Sequence, residues 1–180
     1  MRKHNGMRPQ DVAILLKIIS LENQEWNISR LAKELYISSS EICEALNRSL
    51  FAGLIDKSKK KVMKMAFFDF LSYGLKYVFP VQPGKIVHGI PTAHSALPLS
   101  NEIISNGIAY VWENSDSEIS GLEIEPLYKN IVLAVKEDPK FYEFLALVDA
   151  LRVGKIRETN IARNELKKRF NIEQPVFQTI

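Results

Sequence analysis

One cysteine, Cys43, in 180 residues leaves no partner for an intramolecular disulfide and suits a reducing, cytoplasmic compartment. Long apolar runs are missing as well. The most apolar stretch, Met65 to Phe79, is broken by Asp69, Ser72, Tyr73, Gly74 and Lys76, and a bilayer crossing needs roughly 18 continuous apolar residues. No membrane partner is expected. The opening Met-Arg-Lys-His-Asn-Gly is followed by no signal core. Val12 to Ile19 is apolar, but it contains Lys17 and lacks a small-residue cleavage site, so it reads as an amphipathic helix. The chain has no glycine-rich phosphate loop, no Gly-x-Ser-x-Gly elbow and no paired-cysteine metal motif. His88 and His94 match no zinc spacing. No enzymatic activity, metal or cofactor is expected.

The net charge is only +3, but it is unevenly spread. Residues 1–65 hold 12 Lys/Arg against 7 Asp/Glu, residues 66–150 hold 5 against 11, and residues 151–180 hold 7 against 3. Basic ends around an acidic middle suit a chain that lays its ends on a polyanion, although alternating solvated faces give the same pattern.

Three zones follow. Residues 8 to about 78 are dense in helical periodicity. Residues 80–127 contain Pro80, Pro83, Pro91, Pro98 and Pro126 with Gly84, Gly89, Gly107 and Gly121. These break helices, so loops with short extended pieces such as Ile108 to Trp112 are expected there. Residues from about 127 to 172 are helical again. A first helix is expected over Pro9 to Leu21, with Val12, Leu15, Leu16 and Ile19 as one buried stripe.

Residues 27–56, NISRLAKELYISSSEICEALNRSLFAGLID, carry the most specific pattern. Ile28, Leu31, Ala32 and Leu35 line one face of a short helix, and Ile37 plugs a corner. Ile42, Ala45, Leu46 and Leu50 then line a second helix. Ser38 with Glu41 fits a capping box, and Ser39 is the competing cap. Gly53 stops the second helix before Leu54 and Ile55.

This stretch resembles the winged helix-turn-helix of MarR-like transcriptional regulators, in Leu31-Ala32, Leu35, Ile37-Ser38, Ser39-Ser40 and Gly53-Leu54-Ile55. Two features depart from that pattern. Tyr36 stands at a corner often held by glycine. Lys57-Ser58-Lys59-Lys60-Lys61 leaves room for only a short or degenerate wing. The fold class expected is mainly α: a winged helix-turn-helix domain over 1–62, then a loop-rich segment and C-terminal helices over 63–180 as a dimerisation and regulatory region. Residues 80–127 are unmatched by the resemblance.

The resemblance implies a second helix, residues 39–52, lying in the major groove of double-stranded DNA. Ser38, Ser39, Ser40, Cys43, Glu44, Asn47 and Arg48 are then the candidate contacts. Asn47 suits adenine and Arg48 suits guanine or phosphate. Lys57, Lys59, Lys60 and Lys61 suit the phosphate backbone. Glu44 can accept from a cytosine amine, but its charge is unfavourable beside phosphates.

Val62 to Phe79 reads as one long aromatic helix, apolar on nearly all sides and hence wrapped by protein, either within the monomer or by a second subunit. Residues 84–99 read as a packed connector, with the lining of a ligand-sensing pocket as the alternative. A helix ending at Val153 and another over about Arg157 to Phe170 close the chain, and terminal helices build the dimer in the family it resembles. The expectation is a cytoplasmic, homodimeric DNA-binding regulator reading a short palindrome, with a small-molecule effector or a neighbouring protein as further partner. The alternative is an interaction adaptor or antitoxin-type partner of a neighbouring enzyme.

Overall fold

Helix α1 spans Pro9–Ser20 and forms the middle of the core. Proline is accommodated in its first turn, and Asp11 Oδ2 accepts the Arg8 N–H at 2.9 Å. The single apolar stripe expected here is exceeded, because every residue from Asp11 to Ser20 is buried. The reason is coverage from several sides: α2 (Ile28–Leu35), α3 (Ser39–Phe51) and α8 (Pro139–Val153) all pack on it. Polar groups trapped on α1 therefore need internal partners. Lys17 Nζ sits 2.7 Å from Glu34 Oε2 and 2.6 Å from Asp138 Oδ2. The computed structural model describes residues 6–103 and 107–172. Among these the chain is mainly helical with one small three-stranded sheet.

Helices α2 and α3 form where the periodicity places them. Asn27 caps α2 by accepting from Arg30 N at 2.8 Å. Tyr36 ends it with φ of +55°, the left-handed conformation that glycine takes without strain. Ser38, not Ser39, caps α3, its Oγ accepting from Glu41 N at 3.2 Å. Leu31, Leu35, Ile42, Ala45 and Leu46 are buried where the two helices meet. After Gly53, Leu54 and Ile55 turn inward, and Ile55 makes one antiparallel bridge to Val62.

The long helix expected from Val62 to Phe79 is divided. Helix α4 (Lys64–Asp69) runs into a π turn (Phe70–Gly74) and then α5 (Leu75–Val78). Phe67, Phe68, Leu71 and Leu75 are buried, and Phe67 stacks on Phe170 with ring centroids 6.0 Å apart. The other flank is not wrapped by this chain: Met65, Tyr73 and Tyr77 are 54%, 65% and 73% exposed. A single-chain core supplies apolar cover on one side only.

The proline- and glycine-rich zone holds more than loops. Strand β1 (Ile86–Pro91) pairs antiparallel with both β2 (Ala109–Glu113) and β3 (Ser120–Glu123), and β2 pairs parallel with β3. Each strand is thus bonded to both others. Such tight closure needs residues without side chains at two crossings. A Cβ on Gly89 would lie 2.1 Å from the Trp112 carbonyl oxygen, and one on Gly121 would lie 2.4 Å from that of Ala109. A 3-10 turn (Ala93–Ser95) and α6 (Leu99–Glu102) follow β1.

The sheet is fastened to α8 through Asp149, which is buried. Its Oδ2 accepts from Trp112 Nε1 at 2.7 Å and Thr92 Oγ1 at 2.9 Å, and its Oδ1 accepts from Arg152 Nη1 at 2.8 Å. Burial pushes the Asp149 carboxyl above its ordinary range, against the pull of Arg152 and the two other donors. Helix α7 (Ile131–Ala134) begins four residues later than the expected Leu127. Helix α8 starts at an Asp138 cap and α9 covers Ile156–Arg169. Leu166 and Phe170 close the core.

Candidate nucleic-acid interface

The outward surface of α3 is built by the same alternation that buries Ile42, Ala45 and Leu46. Ser38, Ser39, Ser40 and Asn47 are exposed, while Cys43 and Glu44 are half-buried. Beside α3 lies the short hairpin that joins Ile55 to Val62. Asp56 organises its tip: its Oδ1 accepts the backbone N–H groups of Lys60 and Lys61, both at 2.9 Å, and its Oδ2 accepts from Ser58 Oγ at 2.6 Å. The Ser58 hydroxyl and the backbone donors hold the Asp56 carboxyl down to about 2. The tip of the hairpin is thus tied together by the Asp56 side chain.

That turn distributes its lysines unequally. Lys57 and Lys61 are exposed. Lys59 reaches back to α3, where its Nζ donates to Asn47 Oδ1 at 2.5 Å. Lys60 folds the other way, its Nζ 4.1 Å from the centre of the Trp26 ring and donating to the Trp26 carbonyl at 3.0 Å. Asn47 and Lys59 therefore form one polar unit linking helix and hairpin.

Arg48 does not join them. The expectation that it projects outward is corrected: the residue is 6% exposed. Its Nε and Nη2 bind Asp11 at 2.8 and 2.7 Å, and Nη2 also binds Glu41 Oε1 at 2.5 Å. The Asp11 contact raises the guanidinium pKa further still, with Glu41 adding to it against the cost of burial. Partial burial of Glu41 works against its ionisation, yet hydrogen bonds from Arg48 and Gln10 outweigh it and keep that carboxyl below its usual range. Glu41 consequently turns to Arg48, Gln10 and Arg8 rather than back to Ser38. Asp11 is the member of this triad that sequence reasoning missed. Its place in the first turn of α1 signalled a helix start and nothing more.

The two histidines lie apart in character. His88 is exposed on β1, and His94 is buried with its ring 4.5 Å from that of Tyr110. Among the described residues no group of three or more metal-ligating side chains gathers, and no helix is long and apolar enough to cross a membrane. The assembled surface thus offers hydroxyls, one carboxamide and exposed lysines, with the Glu44 carboxylate among them. No family model matches this chain, and neither a curated protein nor a solved structure matches it.

Proposed function

We propose that this protein binds duplex DNA as a transcriptional regulator, with α3 in the major groove and the 56–61 hairpin acting as a degenerate wing on the phosphate backbone. The observation that carries the reading is the Lys59–Asn47 contact, which joins the carboxamide proposed to read a base to a lysine-bearing turn tied together by Asp56. Ser39 and Ser40 flank the same surface. A carboxamide suits adenine in the major groove, and lysines beside it suit phosphates. The reading includes a homodimer on a short palindrome, supported by the exposure of Met65, Tyr73 and Tyr77 along α4, the π turn and α5.

A gel shift with the DNA upstream of the protein's own reading frame tests this. Retardation of that duplex, lost with Asn47→Ala and weakened at every sequence by Lys57→Ala with Lys61→Ala, supports it. Absence of retardation at low salt contradicts it.

A second reading, docking of a neighbouring protein as an adaptor or antitoxin-type partner, draws support from one feature. Phe51, at the end of α3, is 73% exposed, and withdrawal of Arg48 leaves the helix with little positive charge. Stable co-purification with the product of an adjacent gene, without DNA retardation, distinguishes it.

A further inference from the structure

Three of the eleven acidic residues in the middle of the sequence stand around one cavity. A hollow of about 630 Å³ lies between the start of α1, the end of α5, the ends of β2 and β3, and α7. That size suits a drug-sized molecule. Its walls include the aromatic rings of Phe79 and Tyr128, and three carboxylates, Glu113, Glu123 and Glu125, stand around it.

Charge decides what this hollow accepts. Arg152 lines it, but its guanidinium is already engaged with Asp149 at 2.8 Å and with the carbonyls of Phe79 and Glu125, both at 3.1 Å. Lys85 approaches Glu113 only to 3.7 Å, with both side chains exposed. Among the described residues no base pairs with Glu123 or Glu125, and Lys129 is the one other cation in the lining. The Tyr128 hydroxyl is buried and has no hydrogen-bond partner among the described residues. Glu113 is thus paired, whereas half-buried Glu123 and exposed Glu125 are not, and aromatic rings beside such carboxylates attract positive charge carried on an apolar body. A free metal ion would leave the apolar walls unused, and an anion would be repelled.

We propose that this cavity binds a lipophilic organic cation, its charge facing Glu123 and Glu125 and its apolar body resting against Phe79 and Tyr128. This binding does not rest on the DNA-binding reading.

The test is isothermal titration of the full chain with tetraphenylphosphonium, and with tetraphenylborate as the probe of equal size and opposite charge, in sodium buffer. The expected result is one saturable phosphonium site, weakened at least tenfold by Glu123→Gln with Glu125→Gln, and no borate binding that responds to those substitutions. Val132→Trp, which fills the hollow from α7, is the second variant and should also abolish binding. Absence of phosphonium saturation, equal affinity in the variants, or equal binding of both probes overturns the proposal. Phosphonium binding by a chain that fails to retard DNA would leave the cavity assignment standing and remove the regulator reading. DNA retardation without phosphonium binding would do the reverse.

Discussion

The Arg48 guanidinium is clasped by the Asp11 carboxylate, Nε to Oδ2 at 2.8 Å and Nη2 to Oδ1 at 2.7 Å, across 37 residues of sequence. Both side chains are withdrawn from solvent, so removing Arg48 would leave Asp11 a buried carboxylate with no cation, whereas Arg48 without Asp11 would keep only Glu41. Arg48→Ala is therefore expected to cost about 3–5 kcal/mol of stability. Replacing both groups by apolar residues of similar size, Asp11→Leu with Arg48→Met, should recover part of that loss, because desolvation of the pair offsets much of its attraction while the Asp11 bond to the Arg8 N–H and the Arg48 bond to Glu41 are still forfeited. Urea denaturation of the two variants and the parent checks both statements.

Under the proposed function Asn47 and the lysines have different roles. Removing a base contact should cost about 1–3 kcal/mol of discrimination at the position it reads. Removing a phosphate contact should weaken all sequences alike and lower the slope of log affinity against log salt by about 1 for each lysine. Binding titrations at several salt concentrations are expected to show the first behaviour for Asn47→Ala and the second for Lys57→Ala and Lys61→Ala. Lys59→Ala should show both, since Lys59 also orients Asn47.

The Asp56 turn gives a pH dependence of known sign. Its carboxyl is lowered in the folded chain from 3.8 to about 2, so its contribution is complete above the unfolded value and is lost as pH falls through the folded one. The amides of Lys60 and Lys61, which Asp56 accepts, should stay protected from exchange at pH 5. They should lose protection between about pH 4 and pH 2. Asp56→Asn should expose them at neutral pH, as read by amide exchange in NMR spectra.

Much of the N-terminal half was legible because its determinants are local. The Asn27 and Ser38 caps, the apolar stripes of α2 and α3, and the stop at Gly53 each act within a few residues. Arg48 was misplaced because α2 and α3 alone do not set its surroundings. It lies seven residues after Glu41, hence on the same helix face, and that face is covered by the start of α1. The sheet was hidden for a related reason. Its three strands pair across long separations, Ile86 with Leu122 and Pro91 with Val111, while proline and glycine signal only that helices stop. The exposed flank of α4 and α5 could not be read either, since aromatic composition does not say how much cover one chain can supply.

The glycines at the strand crossings supply a stability test. Gly89→Ala and Gly121→Ala each place a methyl group within 2.1–2.4 Å of a carbonyl oxygen, so each should destabilise by about 1–3 kcal/mol or more. Gly84→Ala, where the nearest atom is 3.5 Å away, should be nearly neutral. Thermal unfolding followed through the near-ultraviolet signal of Trp112, which is buried against α8, separates these outcomes.

A hydrogen-exchange footprint of the full chain with and without its upstream duplex tests most directly the proposal that α3 and the 56–61 hairpin form the DNA surface. The account predicts slowed exchange confined to the segments 38–47 and 57–61. Saturating binding that protects other segments and leaves these two unchanged would contradict it.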